Sequence, residues 1–337
     1  MWRSLFLYSV KTESEGTEQM RVIGRERELA KIKKELNVSG QRNVLVYGRR
    51  RVGKSELIKQ ALTDIPDGAT IYYECRQTSE ADNLASLSDL IAAALGFPPL
   101  AFSSIRELIE FLFSQAKNRS VTLVLDECPY LRDAVKGLDS IIQTLIDTHR
   151  ESSRLNIILC GSYVEIMKSL VEHESPLYGR IDLALELKPM DYHDAAKIYP
   201  AFLPEDKVRL YSVFGGIPYY NRLVDQNLSV RNNIIELMTE PGARLENEVP
   251  SYLGAGISKM TNANEVFGAL AQEYSRWGDV LAQSHVSSGP AMSDVLDKLI
   301  SLELVQKRAP INDPTNKRKS GYFVIDPLSL LLPLRLS

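Results

Sequence analysis

The run Val44-Leu-Val-Tyr-Gly-Arg-Arg-Arg-Val-Gly-Lys-Ser-Glu-Leu57 constrains this chain more than any other. An apolar stretch stops at Gly48, and Gly53-Lys54-Ser55 follows after four further positions. Gly-x-x-x-x-Gly-Lys-Ser between a strand and a helix is a P-loop. It requires a strand that delivers the loop to the end of a sheet. It also requires a helix whose N-terminus faces the bound anion. Lys54 is then placed to reach the β- and γ-phosphates, and the Ser55 hydroxyl to bind Mg²⁺. Val52 and Glu56 complete the phosphate-wrapping segment. Arg49, Arg50 and Arg51 fill its free positions. Phosphate binding does not require them, and at least two are expected to be solvated or paired with surface acids.

A second element, "VTLVLDECPY", begins about 70 residues further on. Its apolar run ends at Asp126-Glu127, the pattern of a Walker B strand. Asp126 is expected to hold Mg²⁺ through water, and Glu127 to polarise the attacking water. One strand, Thr70–Cys75, lies between the two elements. That places the chain in the additional-strand, catalytic-glutamate (ASCE) subgroup of P-loop ATPases. The next strand, "NIILCGS", ends at Ser162, which suits either contact with the γ-phosphate and its water or a helix cap. Arg180, just before a fifth strand, suits either reach into a neighbouring subunit's γ-phosphate or an internal salt bridge.

Helical spacing marks Glu26–Leu36, Glu56–Leu62, Leu87–Leu95 and Ile105–Ala116, and strands are expected at Val44–Tyr47, Thr70–Cys75, Val121–Leu125, Asn156–Cys160 and Leu183–Leu187. Strands alternating with helices predict a parallel sheet covered on both faces. After Pro189 the pattern becomes helical, interrupted by "FGGIP" at 214–218. Three helical patterns run from Val266 to Arg308, and two strand-like runs, Val305–Pro310 and Tyr322–Ile325, close the pattern as a basic hairpin. This reads as a winged helix-turn-helix. The expected division is a flexible extension at 1–20, a core at 21–190, a helical lid and connector at 191–257, a winged helix at 258–327 and a tail at 328–337.

Composition bears mainly on partners. Forty basic against 43 acidic residues give a net charge of −3, so any basic surface is local. Cys75, Cys128 and Cys160 lack metal-ligand spacing and sit in apolar runs, which predicts buried packing thiols and a reducing compartment. No apolar run is long enough to span a membrane. A cytoplasmic location is expected.

Taken in order, "RVIGREREL", "VYGRRRVGKSELI", "LVLDECPYL", "IILCGS", "SPLYGR" and "FGGIP" resemble the archaeal-type ATPases of the AAA+/STAND class. The resemblance runs from about residue 21 to 327. It implies a five-stranded AAA+ core, a helical lid and a winged helix. It places Gly24 and Arg25 near the base, and Gly215, Gly216 and Pro218 where the lid meets the adenine. It also makes the arginine run typical of the group; because nucleotide chemistry does not require the run, a role in subunit or partner contact is expected. Such proteins usually continue past "YFVIDP" into a nuclease-like domain, whereas here "LSLLLPLRLS" follows.

The expected function is Mg²⁺-dependent ATP binding with slow hydrolysis, used as a conformational or assembly switch by a homo-oligomer or with a protein partner. Two alternatives stand beside it. One is a DNA-binding ATPase resembling origin-recognition and helicase-loader proteins, touching DNA through Lys317, Arg318 and Lys319. Asp294 and Asp297, on the helix that would lead into DNA, oppose that reading. The other is an inactive nucleotide-binding scaffold, disfavoured by the presence of Lys54, Asp126 and Glu127.

Overall fold

The computed structural model describes residues 22–63, 68–248, 263–286, 288–313, 316 and 319–330. Residues 1–20, most of the segment read as a connector before 258, Lys317, Arg318 and the tail from 331 lie outside these described residues. The chain divides after Leu187 into two compact units.

The first unit is a five-stranded parallel sheet. Its strands are β1 (Asn43–Tyr47), β2 (Gly68–Glu74), β3 (Ser120–Asp126), β4 (Leu155–Gly161) and β5 (Leu183–Glu186), in the spatial order β2-β3-β4-β1-β5. β1 and β4 are buried at every position, which is why they read as continuous apolar runs rather than alternating ones. The edge strands β2 and β5 are only partly buried.

Helices α1 (Glu26–Leu36), α2 (Lys54–Leu62), α3 (Glu80–Leu95) and α4 (Ile105–Gln115) follow the expected periodicity. Ser79 and Ser104 cap α3 and α4, accepting hydrogen bonds from the N–H groups of Asp82 and Glu107. The strand-based reading makes no assignment for three further helices, α5 (Cys128–Ala134), α6 (Leu138–His149) and α7 (Val164–Ser169). In α6 the buried stripe Leu138, Ile142, Leu145, Ile146 is a regular helical pattern. α5 and α7 are too short for periodicity to mark.

The second unit begins with α8 (Tyr192–Ala195), α9 (Pro204–Phe214), α10 (Pro218–Arg222) and α11 (Val230–Ile234), the last continued by a π-helical turn to Thr239. Then come α12 (Ala263–Ala271), α13 (Trp277–Gln283) and α14 (Gly289–Ser301). β6 (Val305–Arg308) and β7 (Gly321–Val324) pair antiparallel, and α15 (Pro327–Leu330) follows. α15 packs against α9, and Pro327 lies 3.2 Å from where a Cβ on Gly215 would stand. No helix among the described residues is long and apolar enough to cross a membrane.

Candidate functional site

Strand order creates the site. β4 lies between β1 and β3, so the loops leaving these three strands meet at one end of the sheet. The loop after β1 is held tightly. Gly48 has φ +150°, and a Cβ there would stand 2.1 Å from the Leu187 carbonyl oxygen. Only glycine fits that approach. Arg51 takes a left-handed conformation at φ 68° and Gly53 another at φ 90°. α2 then starts at Lys54 with no side-chain cap on its N-terminus. First-turn N–H groups have no intrahelical acceptor, so this end is built for an anion.

Lys54 is buried, and its ammonium donates to the carbonyl oxygens of Gly48 (2.9 Å) and Arg49 (3.1 Å). The charge is thus stored inside the loop that a phosphate would occupy. Ser55 Oγ donates to Asp126 Oδ2 at 2.6 Å, joining residues 71 apart in sequence. Tyr72, from β2, donates its hydroxyl to the same carboxylate oxygen, and the Glu127 N–H reaches Oδ1 at 3.0 Å. Burial pushes the Asp126 carboxyl up. Hydrogen bonds from Ser55, Tyr72 and Cys160, with the Lys54 charge, more than offset this and hold it below the usual carboxylate range. The Tyr72 hydroxyl is pushed well above its ordinary value, by burial first and the Asp126 charge second. A serine hydroxyl beside an ionised carboxylate is the hard-oxygen donor set that Mg²⁺ takes, so Ser55 and Asp126 fit that ion.

Glu127 has a left-handed backbone, φ 51°, which is uncommon for a non-glycine residue and frequent at functional sites. Its Oε2 accepts from Ser162 N–H at 3.0 Å and from Ser162 Oγ at 2.9 Å. Ser162 therefore touches the glutamate and is not the cap of α7, whose N-cap is Tyr163. The close turn before it depends on Gly161, where a Cβ would lie 2.6 Å from Met167 Sδ and 2.9 Å from Pro129 Cδ.

The three arginines separate. Arg49 is buried, at 4% exposure, while Arg50 and Arg51 are exposed. Sequence leads one to expect at least two of the three solvated or paired with surface acids, and two are exposed. The partners of Arg50 are aromatic rather than acidic. Its Nη2 donates to Tyr130 Oη at 3.1 Å, and its guanidinium lies 6.0 Å from the Tyr163 ring centroid. Tyr130 and Tyr163 meet edge to face at 6.1 Å. Tyr72, Tyr130 and Tyr163 are site neighbours that motif reading misses. Their one signal is an aromatic within three residues of a motif end, or on the strand beside one.

Arg180 is not brought to these residues. Its guanidinium grips Asp147 of α6, with Nε at 3.0 and 3.1 Å and Nη2 at 2.8 Å, and Nη1 reaches the Tyr178 carbonyl at 3.0 Å. Val52 is fully buried and Glu56 is exposed in the first turn of α2. Gly24 has φ 70°, and Arg25 is buried with Nη1 3.0 Å from Glu28 Oε1. The segment is tied to α2 by the Val22 N–H, 2.6 Å from Gln60 Oε1. Gly216 and Pro218 belong to the second unit. There Gly216 accepts from the Met190 N–H at 2.7 Å, and a Cβ on it would stand 1.9 Å from the Met190 carbonyl oxygen. Pro218 opens α10, and Asn221 clamps the turn by donating to the Gly215 and Ile217 carbonyls, both at 2.8 Å.

Residues 23–222 match the family described as an ATPase domain predominantly from Archaea, and the chain belongs to that family. It is 26% identical over 308 residues to the uncharacterized protein MJECL04 of Methanocaldococcus jannaschii, covering 90% of this chain and 66% of that protein, just under two thirds of its length. In fold it is similar to the Walker-type ATPase PABY2304 of Pyrococcus abyssi, with a TM-score of 0.69 and 20% identity over 93% of this chain and 96% of that one. It is also similar to the Aeropyrum pernix ORC2 protein in its ADPNP–ADP complexes, with a TM-score of 0.57 and 16% identity over 93% and 92% of the two chains. The fold is that of the P-loop AAA+ ATPases.

Proposed function

We propose that the chain binds ATP with Mg²⁺, hydrolyses it slowly and uses the difference between nucleotide states as a conformational or assembly switch. One observation carries the reading: Ser55, Asp126, Glu127 and Ser162 form a continuous hydrogen-bonded set beside the uncapped start of α2. Lys54 exchanges its carbonyl partners for phosphate oxygens. Ser55 and Asp126 are the residues that would hold Mg²⁺, whose chemistry is to neutralise charge on the phosphates. Glu127, placed by Ser162, orients the attacking water and accepts its proton. Gly24 and Arg25, in the segment tied to α2 through Val22, take the base side of the nucleotide. Slow turnover follows if Arg180, which precedes β5, stays on Asp147 within its own subunit rather than on the phosphate site. Arg180 serves a neighbouring subunit in the assembled form, exchanging Asp147 for a γ-phosphate oxygen.

The helices 263–301 and the hairpin after them have the element order of a winged helix. The switch reading is tested by mass photometry and phosphate release with ADP, ATP and a non-hydrolysable ATP. Nucleotide-dependent mass or shape with slow release is the expected result. Identical behaviour in all three states would remove the switch, and failure of Lys54→Ala to weaken ATP binding would remove the site.

A further inference from the structure

An open concavity lies beside the hairpin. Ser275, Arg276, Arg308, Pro310, Lys319 and Phe323 are among the residues that line this hollow of about 260 Å³. It is held together locally. The Tyr322 N–H donates to the Ser275 carbonyl at 2.8 Å and ties β7 to the turn before α13. Arg308 pairs in register with Gly321, where a Cβ would stand 3.0 Å from the Phe323 ring and 3.4 Å from Ser275 Cβ. The Arg308 guanidinium sits 5.0 Å from the Phe323 centroid, yet Phe323 keeps 38% of its surface exposed. Strand alternation sends Lys307 to the opposite face, over Tyr322 at 5.5 Å. Among the described residues no carboxylate pairs with Arg276, Arg308 or Lys319. Tyr274 and Trp277, either side of the Ser275-Arg276 turn, are also exposed.

We propose that this concavity binds single-stranded nucleic acid, with phosphodiester groups on Arg276, Arg308 and Lys319 and a base against Phe323. Three cations without acidic partners, in a chain of net charge −3, select an anion. Sites that enclose a whole small molecule run to roughly 300–1,000 Å³, so a smaller, open hollow suits part of an extended ligand. The exposed ring decides which one. A single strand presents unstacked bases to an aromatic side chain, whereas a duplex keeps its bases stacked on each other. An acidic peptide would satisfy the cations and leave the ring unused. Only Lys319 is shared with the wing contact expected from sequence, and the inference does not depend on the ATP reading.

Fluorescence anisotropy on the full chain tests it, with a labelled oligothymidylate of about 20 nucleotides, a duplex of the same length, and polyglutamate as competitor. Micromolar oligothymidylate binding is expected, with a log–log salt slope near −2, from about −0.7 for each of three phosphates. R276A/R308A/K319A should weaken it at least about ten-fold, and Phe323→Ala about five-fold or more. Phe323→Trp should keep it, and Lys307→Ala should change it little. Melting midpoints report folding of each variant, and R276Q/R308Q, which keeps side-chain length, replaces the triple change if that unfolds. Absence of binding, equal binding to duplex with Phe323→Ala silent, or full displacement by an equal charge of polyglutamate would each overturn the proposal.

Discussion

Charge is handled in opposite ways at the end of the sheet and around the hairpin. At the sheet, Lys54 and Asp126 are buried and bonded to loop carbonyls and hydroxyls, and Glu127 is held by Ser162. Around the hairpin, Arg276, Arg308 and Lys319 are exposed and have no acidic partner among the described residues. Buried, satisfied charges are preorganised, which suits chemistry on a small ligand. Exposed cations keep their hydration and mobility, which suits a long, salt-sensitive partner. By this contrast the first region is expected to be intolerant of substitution for structural as well as chemical reasons, and the second to be tolerant in stability.

Gly48→Ala should be the most damaging change, because its Cβ would meet the Leu187 carbonyl oxygen at 2.1 Å. A loss of at least about 3 kcal/mol in chemical denaturation is expected, the scale of overpacking added to backbone strain. A well-folded Gly48→Ala with normal melting would break the contrast between the regions. Glu127→Gln should follow. It should retain ATP binding while single-turnover hydrolysis falls about 100-fold, the scale of losing positioned base catalysis. Turnover at the parent rate would remove Glu127 from the role assigned to it.

Ser162→Ala should cost less, since the backbone N–H still reaches Glu127 Oε2. About ten-fold slower hydrolysis is expected, in line with losing one hydrogen bond to a charged group. Arg180→Ala should lower stability by less than about 1 kcal/mol, as its pair with Asp147 is part-exposed. Mixing Arg180→Ala with Glu127→Gln chains should restore some hydrolysis if subunits share sites. Full activity of a monomeric Arg180→Ala chain would exclude that sharing. Smallest of all, R276A/R308A/K319A should shift unfolding free energy by no more than about 0.5 kcal/mol. A larger loss would mean that these cations hold the hairpin together, and the contrast would fail on its other side.

Sequence pattern alone carried the sheet and the identity of the residues gathered at its end. Gly48, Gly53-Lys54-Ser55 and Asp126-Glu127 are legible because strand periodicity and phosphate geometry impose residue types at fixed spacings. Contacts between distant residues of unrelated type were decided only in the tertiary structure. Strand order put β4 between β1 and β3, and that brought Ser55 onto Asp126 and Ser162 onto Glu127. Tyr72, Tyr130 and Tyr163 joined the site through strand neighbours and helix starts, which no local pattern encodes. The arginine run shows the limit most plainly. Arg49, Arg50 and Arg51 are one residue type in one run, yet Arg49 is buried and Arg50 lies against two tyrosines. Adjacent side chains leave a turning loop in different directions, and what each meets is set by elements folded from elsewhere in the chain. The same holds for Arg276, Arg308 and Lys319. They stand far apart in sequence and share one hollow because β7 is bonded to the turn at Ser275.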